Sequence, residues 1–423
     1  MIIKNITFVN PIEEVEKECD ILIEDGVIKA IDSPGSLSYY GNDSIDGTGL
    51  FCAPGFFDIH SHFRDPGFTH KEDIETGAAA AKRGGYTGIV LMANTNPSVD
   101  NAETLSYVLN KGLNTGINIH TCAAVSMGLK GEALTDMDNL FKNGAIGCTD
   151  DGSPLMDENL LRAAMKKCAE LKVPISLHEE DKTLIAQNGI NRGLASRHYN
   201  IEGSPREAEI SLVKRDIEIA KETGAALNIQ HVSTAETIEL VRKARNEGFK
   251  NIYAEATPHH FSLTENAVME LGTNAKMNPP LRTEEDRQAI IKGLADGTVS
   301  FIATDHAPHS EEEKNQPLTK APSGITGLET AFSLGIMNLV NENKLSLYRL
   351  LYTLCVAPRE LYGISCPGLN IGEAADLVIF STSEKWIYDT TASKSFNTPF
   401  KGKEITGKIK YTICGGHIVY EDM

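Results

Sequence analysis

Asp58-Ile59-His60-Ser61-His62-Phe63-Arg64-Asp65-Pro66-Gly67 follows an apolar run, Phe51 to Phe57, that contains Gly and Pro and reads as a buried strand. Side chains alternate faces along a strand, so His60 and His62 point the same way. Two imidazoles on one face at the end of a buried strand can grip one metal ion. A helical zinc pair is spaced i, i+4 instead. Arg64 continues the same alternation and sets a fixed cation beside the pair. An isolated His-x-His is more often two packed core histidines, so the rest of the chain has to decide.

From residue 52 to 364 strand and helix patterns alternate. Eight strand candidates are Phe56–His60, Gly88–Ala93, Ile117–Ala123, Ala145–Thr149, Val173–His178, Ala226–His231, Ile252–Ala256 and Val299–Thr304. Helical periodicity fills the gaps, as over Asp157–Leu171, Pro205–Thr223, Ala235–Glu247 and Thr283–Ala295. This predicts an α/β fold, a (β/α)8 TIM barrel. A doubly wound open sheet is the alternative, but no G-x-G-x-x-G opens a helix.

The flanks have a different texture. Ile2–Phe8, Asp20–Glu24 and Val27–Ile31 read as strands, with a hairpin signal at Glu24-Asp25-Gly26. Asp376–Phe380, Lys408–Cys414 and His417–Tyr420 do likewise, with Gly415-Gly416 as a turn. Neither end has enough apolar surface to stand alone. The expectation is one small β-sandwich domain built from both termini, residues 1–51 and 365–423, beside a catalytic barrel of residues 52–364.

Reactive groups of a barrel gather at the C-terminal ends of its strands. Here those ends carry His60, His62 and Arg64; Asn94 and Asn96; Asp150 and Asp151; His178; His231; His259 and His260; and Asp305 with His309. Several strands ending in His or Asp toward one axis are not explained by packing. Buried ionisable groups need partners, and a metal supplies one.

Composition narrows the class. The 423 residues are 41% hydrophobic and 23% charged, ordinary for a globular protein. The formal net charge of -18 argues against nucleic acid and anionic membrane as partners. No apolar run approaches a membrane span, and Met1–Asn10 lacks a signal-peptide core. The eight cysteines form no C-x-x-C pair, which suits reduced thiols and a cytoplasmic setting.

Taken together, the motifs resemble the amidohydrolase superfamily, and within it the dihydroorotases of the bacterial, class I type. The resemblance spans the chain: His60-Ser-His-Phe-Arg-Asp-Pro-Gly67 with Lys71-Glu72-Asp73, Ala93-Asn-Thr-Asn-Pro97, Thr149-Asp-Asp-Gly152, Lys276-Met-Asn-Pro-Pro-Leu-Arg282, Asp305-His-Ala-Pro-His309 and Gly327-Leu-Glu-Thr330. It implies Zn2+, one or two per subunit, with His60, His62 and Asp305 on one ion and His178 and His231 on a second. Many relatives bridge the ions with a carboxylated lysine after strand four; this strand ends in aspartates. Adjacent residues face opposite ways, so only one of Asp150 and Asp151 reaches the metals, and the resemblance selects Asp151.

The implied reaction is the reversible cyclisation of N-carbamoyl-L-aspartate to L-dihydroorotate in pyrimidine synthesis, with Asp305 as proton carrier. The substrate carboxylate falls to His62, Arg64, Asn94 and His309, and the ring to Asn278, Ser323 and Gly324. Ser310 to Pro322 reads as a mobile polar loop that closes over substrate. Asp58 is expected to support the centre from one layer deeper, His306 to face away, and Glu179 and Glu180 to be solvated. A homodimer is expected, with aspartate transcarbamoylase as a candidate partner. The competing readings are a hydantoinase or allantoinase, and a non-catalytic partner of aspartate transcarbamoylase.

Overall fold

The computed structural model describes residues 1–38, 41 and 43–422. All eight predicted barrel strands form, as Phe56–Ser61, Tyr86–Leu91, Asn118–Ala123, Gly147–Thr149, Ile175–Leu177, Leu227–Ile229, Ile252–Ala256 and Phe301–Ile302. They pair in sequence order, and the pairs are parallel throughout. A parallel bridge between Ser61 and His306 closes the ring, and His62 N–H donates to the His306 carbonyl at 2.8 Å. Strands buried on both faces are apolar by default, and the first two are buried over their whole length. The helices begin where side chains can cap them. Asp157 accepts from the backbone of Asn159 and Leu160, and Thr283 and Asp286 form a capping box.

The two chain ends join in one hydrogen-bonded sheet. Its order is His417–Glu421, Glu404–Cys414, Leu377–Ile387, Phe51–Pro54, Ile2–Asn10, Val15–Glu24 and Val27–Asp32, with Ser44–Asp46 alongside Ile2–Asn10. Phe51–Pro54 is the seam: it runs antiparallel to Leu377–Phe380 and parallel to Thr7 and Phe8. Both expected hairpins are present. Asp25 and Gly26 have φ of 50° and 79°, and Gly415 and Gly416 have 54° and 77°, the left-handed pair that a two-residue turn needs. The sheet has its own small core, which includes Ile3, Ile21, Ile28, Cys52, Leu377 and Ile413. Among the described residues no helix is long and apolar enough to cross a membrane.

Closure of the barrel rests on a buried carboxylate. Asp58 accepts from Ser61 Oγ at 2.5 Å, Thr304 Oγ1 at 2.6 Å and Thr304 N at 2.8 Å, so it ties the first strand to the segment after the eighth. The expected support from Asp58 therefore acts through the backbone that carries His60 and Asp305. Replacing it leaves buried donors without an acceptor, each costing about 1–3 kcal/mol. We expect Asp58→Ala to lower unfolding free energy by roughly 2–4 kcal/mol in urea titrations. A loss below about 0.5 kcal/mol would show that the clasp does not hold the barrel.

Candidate metal centre

The histidines and aspartates expected at the strand ends converge at one mouth of the barrel. Ligand atoms of His60, His62 and Asp151 lie within 4.8 Å of one another, and so do those of Asp151, His178 and His231. Asp151 belongs to both sets. Its Oδ1 is 3.5 Å from His60 Nε2 and 3.7 Å from His178 Nδ1, and its Oδ2 is 3.4 Å from His62 Nε2. Asp305 Oδ1 lies 3.1 Å from His62 Nε2 and 3.5 Å from His60 Nε2. Asp150 turns away, as its register requires, and accepts from the backbone of Val125 and Ser126. Burial pushes its carboxyl up to about 6 in spite of those bonds.

These residues fit a divalent cation. His60 Nε2 is buried, faces the centre and has no hydrogen-bond partner among the described residues. Imidazole nitrogen with carboxylate oxygen is a donor set for ions such as zinc. Three of the four rings are also turned by an outer partner. His60 Nδ1 lies 2.5 Å from Glu255 Oε1, His62 Nδ1 lies 2.9 Å from Asn94 Oδ1, and His178 Nε2 lies 3.3 Å from Glu180 Oε2. Each such bond leaves the other nitrogen directed at the cluster. The field is anionic. Burial opposes charge on His60, but Glu255, Asp305 and Asp151 outweigh it and raise its affinity for a proton well above the usual value. Asp151 is held well below the ordinary carboxylate range, with burial opposing and His60 prevailing.

A cavity of about 400 Å3 opens on this cluster. Arg64, Asn94, Asn278, His309, Ser323 and Gly324 all line it, whereas His60 lies beneath its floor. The route of Arg64 differs from the expected one. The strand ends at Ser61, and Arg64 has φ of 61°, so strand alternation does not carry it into the site. A left-handed turn does, with Nε donating to the Pro308 carbonyl at 3.3 Å. Asn94 spends its amide within the cluster, donating to Asp151 Oδ2 at 3.0 Å while accepting from His62. His309 Nε2 donates to the Ser323 carbonyl at 2.9 Å, and Asn278 Nδ2 reaches Glu180 Oε2 at 3.1 Å.

Two other expectations change. Glu179 and Glu180 are buried and not solvated; Glu180 reaches His178 and Asn278, whereas Glu179 lies beside Asp216 and Arg215. The polar segment Ser310 to Pro322 is packed over the cavity. Ser310 caps a short helix, Glu311–Lys314. Lys314 Nζ donates to the carbonyls of Pro322 and Gly324, and Lys276 Nζ to those of Leu318 and Ala321. His306 faces away, toward Glu72 and the Gly327 N–H. Glu255 and the anchoring role of Lys276 escaped the sequence reading. A glutamate within Ile252-Tyr-Ala-Glu-Ala256 was the available signal, because a charge inside a buried parallel strand requires a partner.

Comparison with known proteins places this geometry among relatives. A family model described as Dihydro-orotase-like matches residues 49–237. The "Dihydroorotase" of Clostridioides difficile (strain 630) is 48% identical over 420 residues, covering 99% of each chain. That of Clostridium acetobutylicum is 46% identical over the full length of both. Among solved structures, an L-hydantoinase (dihydropyrimidinase) from Arthrobacter aurescens superposes with a TM-score of 0.87 at 26% identity, covering 99% of this chain and 96% of its own. A D-hydantoinase from Thermus sp. gives 0.83 at 22%, a likeness of fold.

The lysine anchors make the packed segment sensitive to pH. Burial, with Lys276 nearby, pushes the Lys314 ammonium down to about 7, against about 10.4 when released. Between these values the released segment binds more protons than the packed one, so packing strengthens as pH rises through that window and is flat below it. Hydrogen exchange over 311–324, corrected for intrinsic rates, should show greater protection at about pH 9 than at about pH 6. Lys314→Met should reduce that dependence to the part carried by Lys276, which burial holds at about 8; an unreduced rise in the variant would assign it elsewhere.

Proposed function

The chain belongs to the dihydroorotase family, and we propose that it catalyses the reversible cyclisation of N-carbamoyl-L-aspartate to L-dihydroorotate with release of water. The observation that carries this reading is the joining of two chemistries in one space. The His and Asp cluster suited to divalent cations and the guanidinium of Arg64 face the same cavity of about 400 Å3.

In this reading the cation is zinc; His60, His62 and Asp305 would hold one ion, His178 and His231 a second, and Asp151 would serve both. Zinc bound there supplies Lewis acidity, polarising an amide carbonyl and making water a competent nucleophile near neutral pH. Asp305 carries the proton. Burial opposes its ionisation, but the neighbouring His60 and His62 hold its carboxyl well below the usual range, so it is ionised and free to accept a proton at neutral pH. It takes a proton from water and delivers it to the departing ring nitrogen in hydrolysis, and reverses the transfer in cyclisation. Arg64 grips the substrate carboxylate with a planar fork, with His62, Asn94 and His309 beside it. Asn278 and the Ser323–Gly324 backbone approach the ring. Gly324 has φ of 135°, and a Cβ there would meet the Ala307 carbonyl at 2.8 Å, so glycine keeps this wall close to the ring.

A hydantoinase-type activity is the second reading, favoured by the Arthrobacter aurescens likeness. The aspartate after strand four and the Arg64 fork favour the first. Turnover of hydantoins or allantoin without turnover of carbamoyl aspartate would reverse the choice. The proposal extends to a cytoplasmic homodimer, to aspartate transcarbamoylase as a partner, and to a division into a β-sandwich unit (1–51 and 365–423) and a barrel unit (52–364). Light scattering on the purified chain tests the dimer.

Asp305→Ala should reduce kcat by roughly 10²–10⁴-fold in both directions, the span of a lost general acid–base. Near-normal turnover would remove Asp305 from the proton path. Arg64→Lys should raise KM about tenfold with kcat changed far less, because a point charge cannot reproduce the fork. An unchanged KM would show that Arg64 does not hold the substrate.

A further inference from the structure

Glu255 stands in the middle of the seventh barrel strand, wholly shielded from solvent. Its Oε1 lies 2.5 Å from His60 Nδ1 and accepts from His231 N at 3.0 Å, while Oε2 accepts from Asn228 Nδ2 at 3.1 Å. One carboxylate thus touches a member of each ligand set, His60 of the first and His231 of the second. The two contacts differ in kind. On His60 it fixes a ring. On His231 it holds a backbone N–H where φ is 33°, a conformation that costs energy for a residue with a Cβ and persists only where its surroundings enforce it.

A purely structural role does not account for this arrangement. A buried carboxylate is costly unless the charge is balanced. Beyond Glu255 the chain of contacts runs through His60 Nδ1 to Nε2, which is buried, aimed at the cluster and unpartnered among the described residues. A glutamate serving only to fill the core would end on a satisfied group. A carboxylate–imidazole pair ending on an open nitrogen is the arrangement that strengthens a metal ligand and fixes its tautomer.

We propose that Glu255 is a positioning residue that sets the affinity of both cation positions together, through the His60 ring and the His231 backbone. This rests on the reading of His60 and His231 as ligands of divalent ions. Glu180 provides the contrast, because it reaches one ring only, that of His178.

The test is Zn2+ binding by the full chain after metal removal, by chelator competition, in the unaltered protein, Glu255→Gln, Glu255→Asp and Glu180→Gln. Co2+ absorption in the visible serves as a second readout of ligand geometry. Glu255→Gln should weaken both binding steps by about 10–100-fold and alter the Co2+ spectrum, and Glu255→Asp should do the same to a smaller degree. Glu180→Gln should weaken one step only. A structural residue would lower the unfolding midpoint of the metal-free chain and leave both affinities unchanged, and that result would overturn the inference. Weakening of a single step by Glu255→Gln would equally refute the joint role. Should neither Glu255 variant fold even in saturating Zn2+, the residue belongs to folding and the inference fails. Absence of Zn2+ binding by the unaltered protein would instead strike the metal reading itself.

Discussion

Negative charge concentrated in a dry place is the constraint from which the rest of this structure follows. Asp151, Asp305 and Glu255 surround His60 at the base of the cavity, and all are buried. In such surroundings charges attract and repel far more strongly than in water. The field that raises His60's affinity for a proton is the field a divalent cation would meet, with imidazole nitrogens already turned toward it. A cation bound at this mouth would balance charge that is costly to bury alone.

Holding those groups at close range demands backbone that ordinary strands do not provide. Arg64, His231 and Asp305 have φ of 61°, 33° and 47°. Each lies just past the end of a barrel strand, where the chain must leave the barrel and still present a side chain to its axis. Such conformations survive when surrounding bonds over-determine them. Here the bonds come from beneath: Asp58 fastens the Thr304 backbone beside Asp305, and Glu255 fastens the His231 N–H. The layer below the ligands therefore stabilises strain in the layer that does the chemistry.

What the sequence disclosed, and what it concealed, follows from the range of the forces involved. The eight barrel strands and the helices between them were legible because burial imposes local periods on the chain. The clustered histidines and aspartates were legible because such a residue at the end of an apolar strand violates that pattern. Asp151 over Asp150 followed from side-chain alternation combined with the family resemblance. The route of Arg64 was not legible, because alternation fails where the strand stops, and a turn is settled by contacts such as the Pro308 carbonyl, remote in sequence. Glu179 and Glu180 look like surface residues by composition alone; the groups that bury them, Asp216 and Arg215 for the one and Asn278 for the other, are remote in sequence. Lys276 and Lys314 are similar cases, since their partners are carbonyls, which carry no residue-specific mark.

The protein carries a formal net charge of -18, yet the proposed substrate is an anion. Distance decides the conflict. At physiological salt, charges on the outer surface are screened beyond about 8 Å, whereas buried charges are screened much less. Near the cavity Lys276 and Lys314 are buried and Arg64 is half-buried; burial pushes the two ammonium groups down to about 8 and about 7, whereas a guanidinium stays charged at neutral pH. Each of these lysines donates two of its ammonium hydrogens to backbone carbonyls. Carbonyl anchoring limits their reach, and Arg64 lines the cavity. The acidic exterior can serve solubility, while the sign of charge that matters for binding is set within a few ångströms of the reacting atoms.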